Sequence, residues 1–253
     1  MTRVIMRGCN GKMGQMISSI IEADPDACMV AGIDIRDDGH NPYPVFANIF
    51  DCDIEADALI DFSGVTDLDK MLDYCIMKNL PCVLCTTGLS EEQLALVNEA
   101  SKKVAILRSA NMSLGINLLL KVLKEVAGVL APAGFDIEIV EKHHNLKLDA
   151  PSGTALALAD SINEEFDNEY EYIYDRSGRR EKRAKKEIGI SAVRGGTIVG
   201  DHDVIFAGED EVITISHSAY SKAVFGKGAV QAAKYLAGKG PGMYNMANVI
   251  DGQ

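Results

Sequence analysis

His143, His144 and Lys147 fall within five positions, inside the stretch Glu141-Lys142-His143-His144-Asn145-Leu146-Lys147-Leu148-Asp149-Ala150-Pro151-Ser152-Gly153-Thr154-Ala155. Histidine titrates near neutrality and lysine carries a proton there, so the trio suits proton donation and the neutralisation of an anion. The chain then turns through Asp149, Ala150 and Pro151 to Ser152, a favourable N-cap, and enters a helical run over residues 153 to 166. The first amides of a helix lack intrahelical partners and carry partial positive charge, so they can hold a carboxylate or phosphate. Acid plus anion clamp is the chemistry on offer. A solvated loop after a strand would carry the same residue types, so the stretch alone does not decide. A metal centre is disfavoured, because strand neighbours point opposite ways and His202 and His217 lie far along the chain.

A second chemical stretch stands at the N-terminus. Residues 2 to 8 have a strand pattern, Gly8-Cys9-Asn10-Gly11-Lys12-Met13-Gly14 follows, and an amphipathic run covers Gln15 to Ala23. In such a turn Gly8 permits the sharp bend, Gly11 lets a pyrophosphate approach the backbone, and Gly14 allows the helix to pack on the strand. The spacing is a variant of the usual dinucleotide fingerprint and is weak alone. Its context strengthens it: a second strand, Cys28 to Ile33, ends at Asp34, 20 positions after Gly14, where an acid can accept hydrogen bonds from an adenosine ribose. Arg36 could meet the extra phosphate of NADP, which leaves NADH and NADPH both open.

The elements that must position these residues follow a regular order. Strand patterns at 58–62, 82–85 and 104–107 alternate with helical ones near 67–78 and 90–102, which predicts a parallel sheet covered on both faces. The segments after those strands, Phe62-Ser63-Gly64, Cys85-Thr86-Thr87-Gly88 and Ser109-Ala110-Asn111-Met112, would line the crevice at its carboxyl edge. Beyond residue 113 a long apolar helix, about 114–130, leads to a strand at 135–141 and the His-His stretch. Three further strands, 188–193, 197–206 and 211–218, are separated by short turns, so a second, α+β domain with an antiparallel or mixed sheet is expected. A helix at 222–236 precedes a Gly-Pro-rich tail. Arg176 to Lys186 holds seven basic residues against Glu181, which reads as a solvated loop or as an attractor of anions.

Composition sets the outer limits. The 253 residues are 47% hydrophobic and 25% charged, as in globular proteins, and the formal charge of −12 argues against nucleic acid or an anionic membrane as partner. No apolar run is long enough to span a membrane and no signal-peptide region opens the chain, so a cytoplasmic location is expected. The six cysteines lie within the first 85 residues, mostly inside apolar patterns, and read as reduced core residues.

With these residues assembled, the chain resembles the 4-hydroxy-tetrahydrodipicolinate (dihydrodipicolinate) reductases. The resemblance rests on His143-His144-x-x-Lys147-x-Asp149-Ala150-Pro151-Ser152-Gly153-Thr154-Ala155, reinforced by Gly8-x-x-Gly11-x-Met13-Gly14, Thr86-Thr87-Gly88, Asn111-x-Ser113-x-Gly115-x-Asn117 and Arg194-Gly195-Gly196. It implies an α/β protein whose Rossmann-type nucleotide domain, residues 1–112 completed by 222–253, is joined to a substrate-binding and tetramerisation domain, 113–221. It also implies NAD(P)H-dependent reduction of a cyclic imine dicarboxylate, with His143 as acid/base and Lys147 as proton donor. His144, Gly153 and Thr154 would contact substrate. Gly8, Cys9, Asn10, Gly11, Lys12, Met13, Asp34, Arg36, Cys85, Thr86, Thr87, Ser109, Ala110, Asn111 and Met112 would hold the cofactor. Cys85 stands where the family often has glycine and Met112 where it often has phenylalanine. A homoserine- or inositol-phosphate-type dehydrogenase would use its own lysine pattern in place of this His-His-x-x-Lys run, and a nucleotide-sensing module without activity would have no evident use for Lys147 and the anion clamp.

Overall fold

Residues 1–37 and 39–252 are described by the structure, a computed structural model. Two compact units separate: Met1–Leu114 with the chain from Ala223 onward, and Gly115–Lys222.

In the first unit, strands β1 (Thr2–Arg7), β2 (Ala27–Ile33), β3 (Val45–Phe46), β4 (Ala58–Asp61), β5 (Cys82–Leu84), β6 (Ala105–Arg108) and a late strand at Gly242–Tyr244 form one parallel sheet. Its order puts β1 between β2 and β4, so the chain winds first one way and then the other from β1. Alternation assigns the two faces. Val4, Met6 and Ile60 join helices α1 (Lys12–Glu22) and α6 (Ala223–Leu236), whereas Ile5, Leu59 and Ile106 join α2 (Leu68–Lys78) and α3 (Glu91–Ser101). With both faces buried, the strands become near-continuous apolar runs.

The second unit builds a mixed sheet from β7 (Asp136–His143), β8 (Glu171–Ile173), β9 (Glu187–Arg194), β10 (Gly200–Ala207) and β11 (Val212–Ala219), in the order β11-β10-β7-β9-β8. Helices α4 (Leu114–Leu130) and α5 (Gly153–Glu164) cover one face, where Leu123, Leu158 and Ile162 pack on Ile139, Ile190 and Phe206. The alternate residues Val140, Lys142, Asp203 and Ile205 lie half-buried on the other face.

Three expectations change. Arg194-Gly195-Gly196 is no hairpin turn: β9 pairs parallel with β7, and β10 pairs antiparallel with the opposite edge of β7. The segment therefore crosses the end of β7, where the Gly195 amide donates to the His143 carbonyl at 2.9 Å and the Asn145 amide to the Gly196 carbonyl at 3.2 Å. The basic stretch 176–186 is not a free loop. Arg183 donates to Glu138 at 2.6 Å and to the Ile137 and Glu187 carbonyls, and Arg176 binds Glu187. Gly189 leaves room for this network, since a Cβ there would lie 1.8 Å from Glu138 Oε2. The C-terminal tail, finally, is ordered into β12 (Gly242–Tyr244), which extends the sheet beside β6, and α7 (Met246–Asp251), capped reciprocally by Asn245 and Asn248. Among the described residues no helix is long and apolar enough to cross a membrane.

Candidate active site

The chemistry in the second unit begins with the period of β7. Ile137, Ile139, Glu141 and His143 share its inward face, so the apolar row ends in a carboxylate and an imidazole. Glu141 is fully buried, and four nitrogen atoms converge on it. Oε2 faces His143 Nδ1 at 2.6 Å and Arg194 Nη1 at 2.8 Å, while Oε1 accepts from Arg194 Nη2 at 2.7 Å and the Ser152 amide at 2.9 Å. Burial pushes this carboxyl up, but the bonds from Arg194, His143 and Ser152 outweigh it and hold the group below the usual carboxylate range. His202, distant in sequence, arrives on β10 with its ring edge-on to His143 at 5.2 Å. Burial, helped by the neighbouring His143, pushes it down to about 4, so it is neutral at pH 7, and its Nε2 meets Ser152 Oγ at 3.1 Å.

Ser152 caps α5 as expected, its Oγ accepting from the Ala155 amide at 3.2 Å. Lys147 lies on the turn before it and donates from Nζ to Asp149 at 2.8 Å. The hydrogen bond from Lys147 holds Asp149 below the usual carboxylate range. The lysine thus already grips one carboxylate, the protein's own. Gly153 is exposed and a Cβ there would meet nothing, so the end of α5 is sterically open. His144 follows the last residue of β7 and is half-buried.

In the first unit the residues expected to hold a cofactor collect at the carboxyl edge of the sheet: Gly8 to Met13 after β1, Asp34 and Arg36 after β2, Cys85 to Thr87 after β5, and Ser109 to Met112 after β6. The glycine turn fits a pyrophosphate. Helix α1 starts at Lys12, earlier than its apolar period suggests, and its N-cap Gly11 supplies no side-chain bond, so the first-turn amides face outward unblocked by a side chain. A Cβ on Gly14 would lie 2.1 Å from the Gly8 carbonyl oxygen, which makes glycine obligatory for this close turn. Asp34 accepts from the Asn10 amide at 2.9 Å and the Ile35 amide at 2.8 Å, and each oxygen keeps a lone pair for a ribose hydroxyl. It lines a cleft of about 240 Å³ together with Arg7, Gly8, Asn48, Ser63 and Lys70. Arg36 is exposed, and its carbonyl accepts from Asn10 Nδ2.

Some of these side chains point away from any ligand. Cys9 is buried in the core, with its thiol pushed up to about 11 mainly by that burial, so only its backbone can meet a nucleotide. Met112 is buried in the same cluster. The Thr86 hydroxyl donates to Asp61 Oδ2 at 2.6 Å, and Asp61 also takes Arg7 at 2.9 Å and Ser63 Oγ at 2.5 Å. Arg7, Asp61, Glu141 and His202 carry no role in the sequence reading. A usable signal existed for two of them, because Asp61 and Glu141 are charges at inward positions of apolar strands.

Two family models match the chain: "Dihydrodipicolinate reductase, N-terminus" over residues 2–112 and "Dihydrodipicolinate reductase, C-terminus" over 115–250. The chain is 52% identical over 250 residues to a 4-hydroxy-tetrahydrodipicolinate reductase of Caldanaerobacter subterraneus subsp. tengcongensis, covering 99% of this chain and 98% of that one. It is 51% identical over 246 residues to the enzyme of the same description from Clostridium tetani, covering 97% and 96%. A dipicolinate-bound dihydrodipicolinate reductase from Paenisporosarcina sp. TG-14 superposes with a TM-score of 0.80 at 26% identity over 97% of each chain.

Proposed function

The chain belongs to the dihydrodipicolinate reductase family, and from that premise we propose that it reduces the cyclic imine dicarboxylate derived from 4-hydroxy-tetrahydrodipicolinate to tetrahydrodipicolinate, for diaminopimelate and lysine synthesis. One hydride and one proton are added across the conjugated imine, and the oxidised nicotinamide is the co-product. The reduced nicotinamide, when bound, supplies the hydride.

The remaining work falls to backbone and side-chain groups of this protein. The turn Gly8 to Met13 and the first turn of α1 hold the pyrophosphate, Asp34 takes the ribose, and the loops at Cys85–Thr87 and Ser109–Met112 bound the nicotinamide. Lys147 gives the proton that quenches the density left by hydride addition, and His143 acts as acid/base beside it. His144 and the Gly153 and Thr154 amides neutralise and orient the substrate carboxylates. Asp34 disfavours a 2′-phosphate and Arg36 attracts it, so NADH and NADPH both serve. The half-buried face of the mixed sheet, with Val140 and Ile205, suits contact with other copies in a homotetramer.

The observation that carries this reading is the meeting in one unit of a histidine seated on a buried carboxylate, a lysine ammonium and a sterically open helix N-terminus. The test mixes the purified protein with NADH or NADPH and the condensation product of pyruvate and aspartate semialdehyde, and follows nicotinamide absorbance. Oxidation of both cofactors is expected, with competition by pyridine-2,6-dicarboxylate. No oxidation with either, and no competition at millimolar inhibitor, would remove this substrate class.

A further inference from the structure

Glu141 has no exposed surface and touches no solvent, yet it holds together the groups to which the proton step and the substrate clamp are assigned. An ionised carboxylate only accepts hydrogen bonds, so His143 must bring its Nδ1 hydrogen to Oε2. Nε2 is then the ring nitrogen that exchanges protons. It points toward Gly200, where a Cβ would lie 3.0 Å from it, so the glycine in β10 keeps that edge of the ring clear. The other oxygen accepts the Ser152 amide, one residue before the Gly153 and Thr154 amides, and Arg194 spans both oxygens. His202 is the second imidazole of the cluster, and because it is neutral it adds no charge against His143.

We propose that Glu141 is a positioning residue for the reduction: it fixes His143 in the tautomer that presents Nε2, and through Ser152 it sets the carboxylate-binding end of α5 relative to that nitrogen. The proposal rests on the reading of His143 as the proton-exchanging group. A merely structural Glu141–Arg194 pair would be indifferent to which nitrogen of His143 carries hydrogen.

Glu141→Gln keeps the shape but offers one acceptor oxygen to donors that used two. The Ser152 amide and the Arg194 guanidinium cannot give up their hydrogens, whereas His143 can move its own. The amide oxygen therefore turns to Ser152 and the amide nitrogen donates to His143 Nδ1, which forces the hydrogen to Nε2. In the full-length protein we expect kcat to fall roughly 10- to 100-fold, with KM changing less. The ring ¹⁵N signals of His143, identified by their loss in His143→Gln, should switch from the Nδ1–H to the Nε2–H pattern. In the His143→Gln background the same Glu141 substitution should alter kcat by less than about twofold, because the two act as a unit. An equal loss of kcat in both backgrounds, or an unchanged tautomer in Glu141→Gln, overturns the proposal. If that variant does not fold, judged by circular dichroism and NADH binding, the native protein decides: Nδ1–H supports the proposal and Nε2–H overturns it. Full turnover in His143→Gln would instead remove the acid/base reading of His143, and the catalytic role of Glu141 with it, whatever the tautomer.

Discussion

Asp61 and Glu141 make an instructive pair. Each is a fully buried carboxylate at the inward end of an apolar strand, and each grips an arginine, Arg7 at 2.9 Å and Arg194 at 2.7 Å. They differ in their remaining partners. Around Asp61 these are the hydroxyls of Ser63 and Thr86, which tie the loops after β4 and β5 to the end of β1 and do not titrate near neutrality. Around Glu141 one partner is an imidazole whose second nitrogen stays clear of side chains at Gly200. The same device therefore braces loops in one unit and, in the other, seats a group that can move a proton. Burying a charge is costly in both places, and only complete pairing makes it tolerable.

The comparison breaks most visibly if one partner is deleted. Asp61→Ala leaves Arg7 nearly buried without its counter-ion, and should cost roughly 3 to 5 kcal/mol of stability in denaturant unfolding, with weaker NADH binding because the crevice loops lose their tie. Lys147→Met should do the opposite. Stability and NADH affinity stay near native while turnover falls about 10²- to 10⁴-fold, or roughly 3 to 5 kcal/mol of barrier. Steady-state kinetics with fluorescence-monitored NADH binding checks this, and near-native kcat would return Lys147 to an ordinary turn residue.

The histidine content of the second cluster makes it the acid-sensitive one. His202 titrates at about 4 in the folded protein against 6.5 ordinarily. A group with a depressed folded value contributes stability above its unfolded pKa and loses it as pH falls. From pH 6.5 down to about 4 the unfolded chain takes up a proton that the folded one refuses, at a cost approaching about 3 kcal/mol. Unfolding measured across that range should show the loss, and His202→Gln should flatten it. An identical slope in the variant would assign the acid sensitivity to other groups.

Smaller effects sharpen the picture at its edges. Asp149 already occupies Lys147, so Asp149→Asn should tighten pyridine-2,6-dicarboxylate by several-fold, about 1 kcal/mol. Weaker inhibition would mean that Asp149 chiefly pre-orients the lysine. Arg36→Ala should raise the KM for NADPH a few-fold, under about 1 kcal/mol, and leave that for NADH alone. Equal changes for both would mean that Arg36 points away from the 2′-position.

Much of this architecture is legible in the sequence where local and tertiary preferences agree. The alternation of apolar strands with amphipathic helices gives the parallel sheet, and Ser152 announces the start of α5. Legibility fails where pairing between distant residues decides. β12 is three residues long and exists because β6 offers it an edge, and α7 hides in a tail whose composition reads as irregular. Arg194-Gly195-Gly196 has the composition of a hairpin turn, and only the insertion of β7 between β9 and β10 makes it a crossing. His202 is invisible as a neighbour of His143 for the same reason. The basic stretch misleads because charge composition cannot say that Glu138 and Glu187 stand opposite Arg176 and Arg183.

The late return of the chain to the first unit governs the timing of its folding. Met6, Ile17 and Ile60 belong to an apolar face that is sealed by Val230, Leu236 and Met246, residues translated after the whole second unit. During synthesis the second unit has all its strands while the first still lacks two helices and an edge strand. An unfinished first unit would expose β6 and that apolar face, the kind of surface that invites aggregation or a chaperone. A ribosome stalled near residue 222 would therefore release a chain with a complete second unit and an open first unit. By the same logic, extra sequence is best borne beyond α7, and loss of the last thirty or so residues worst.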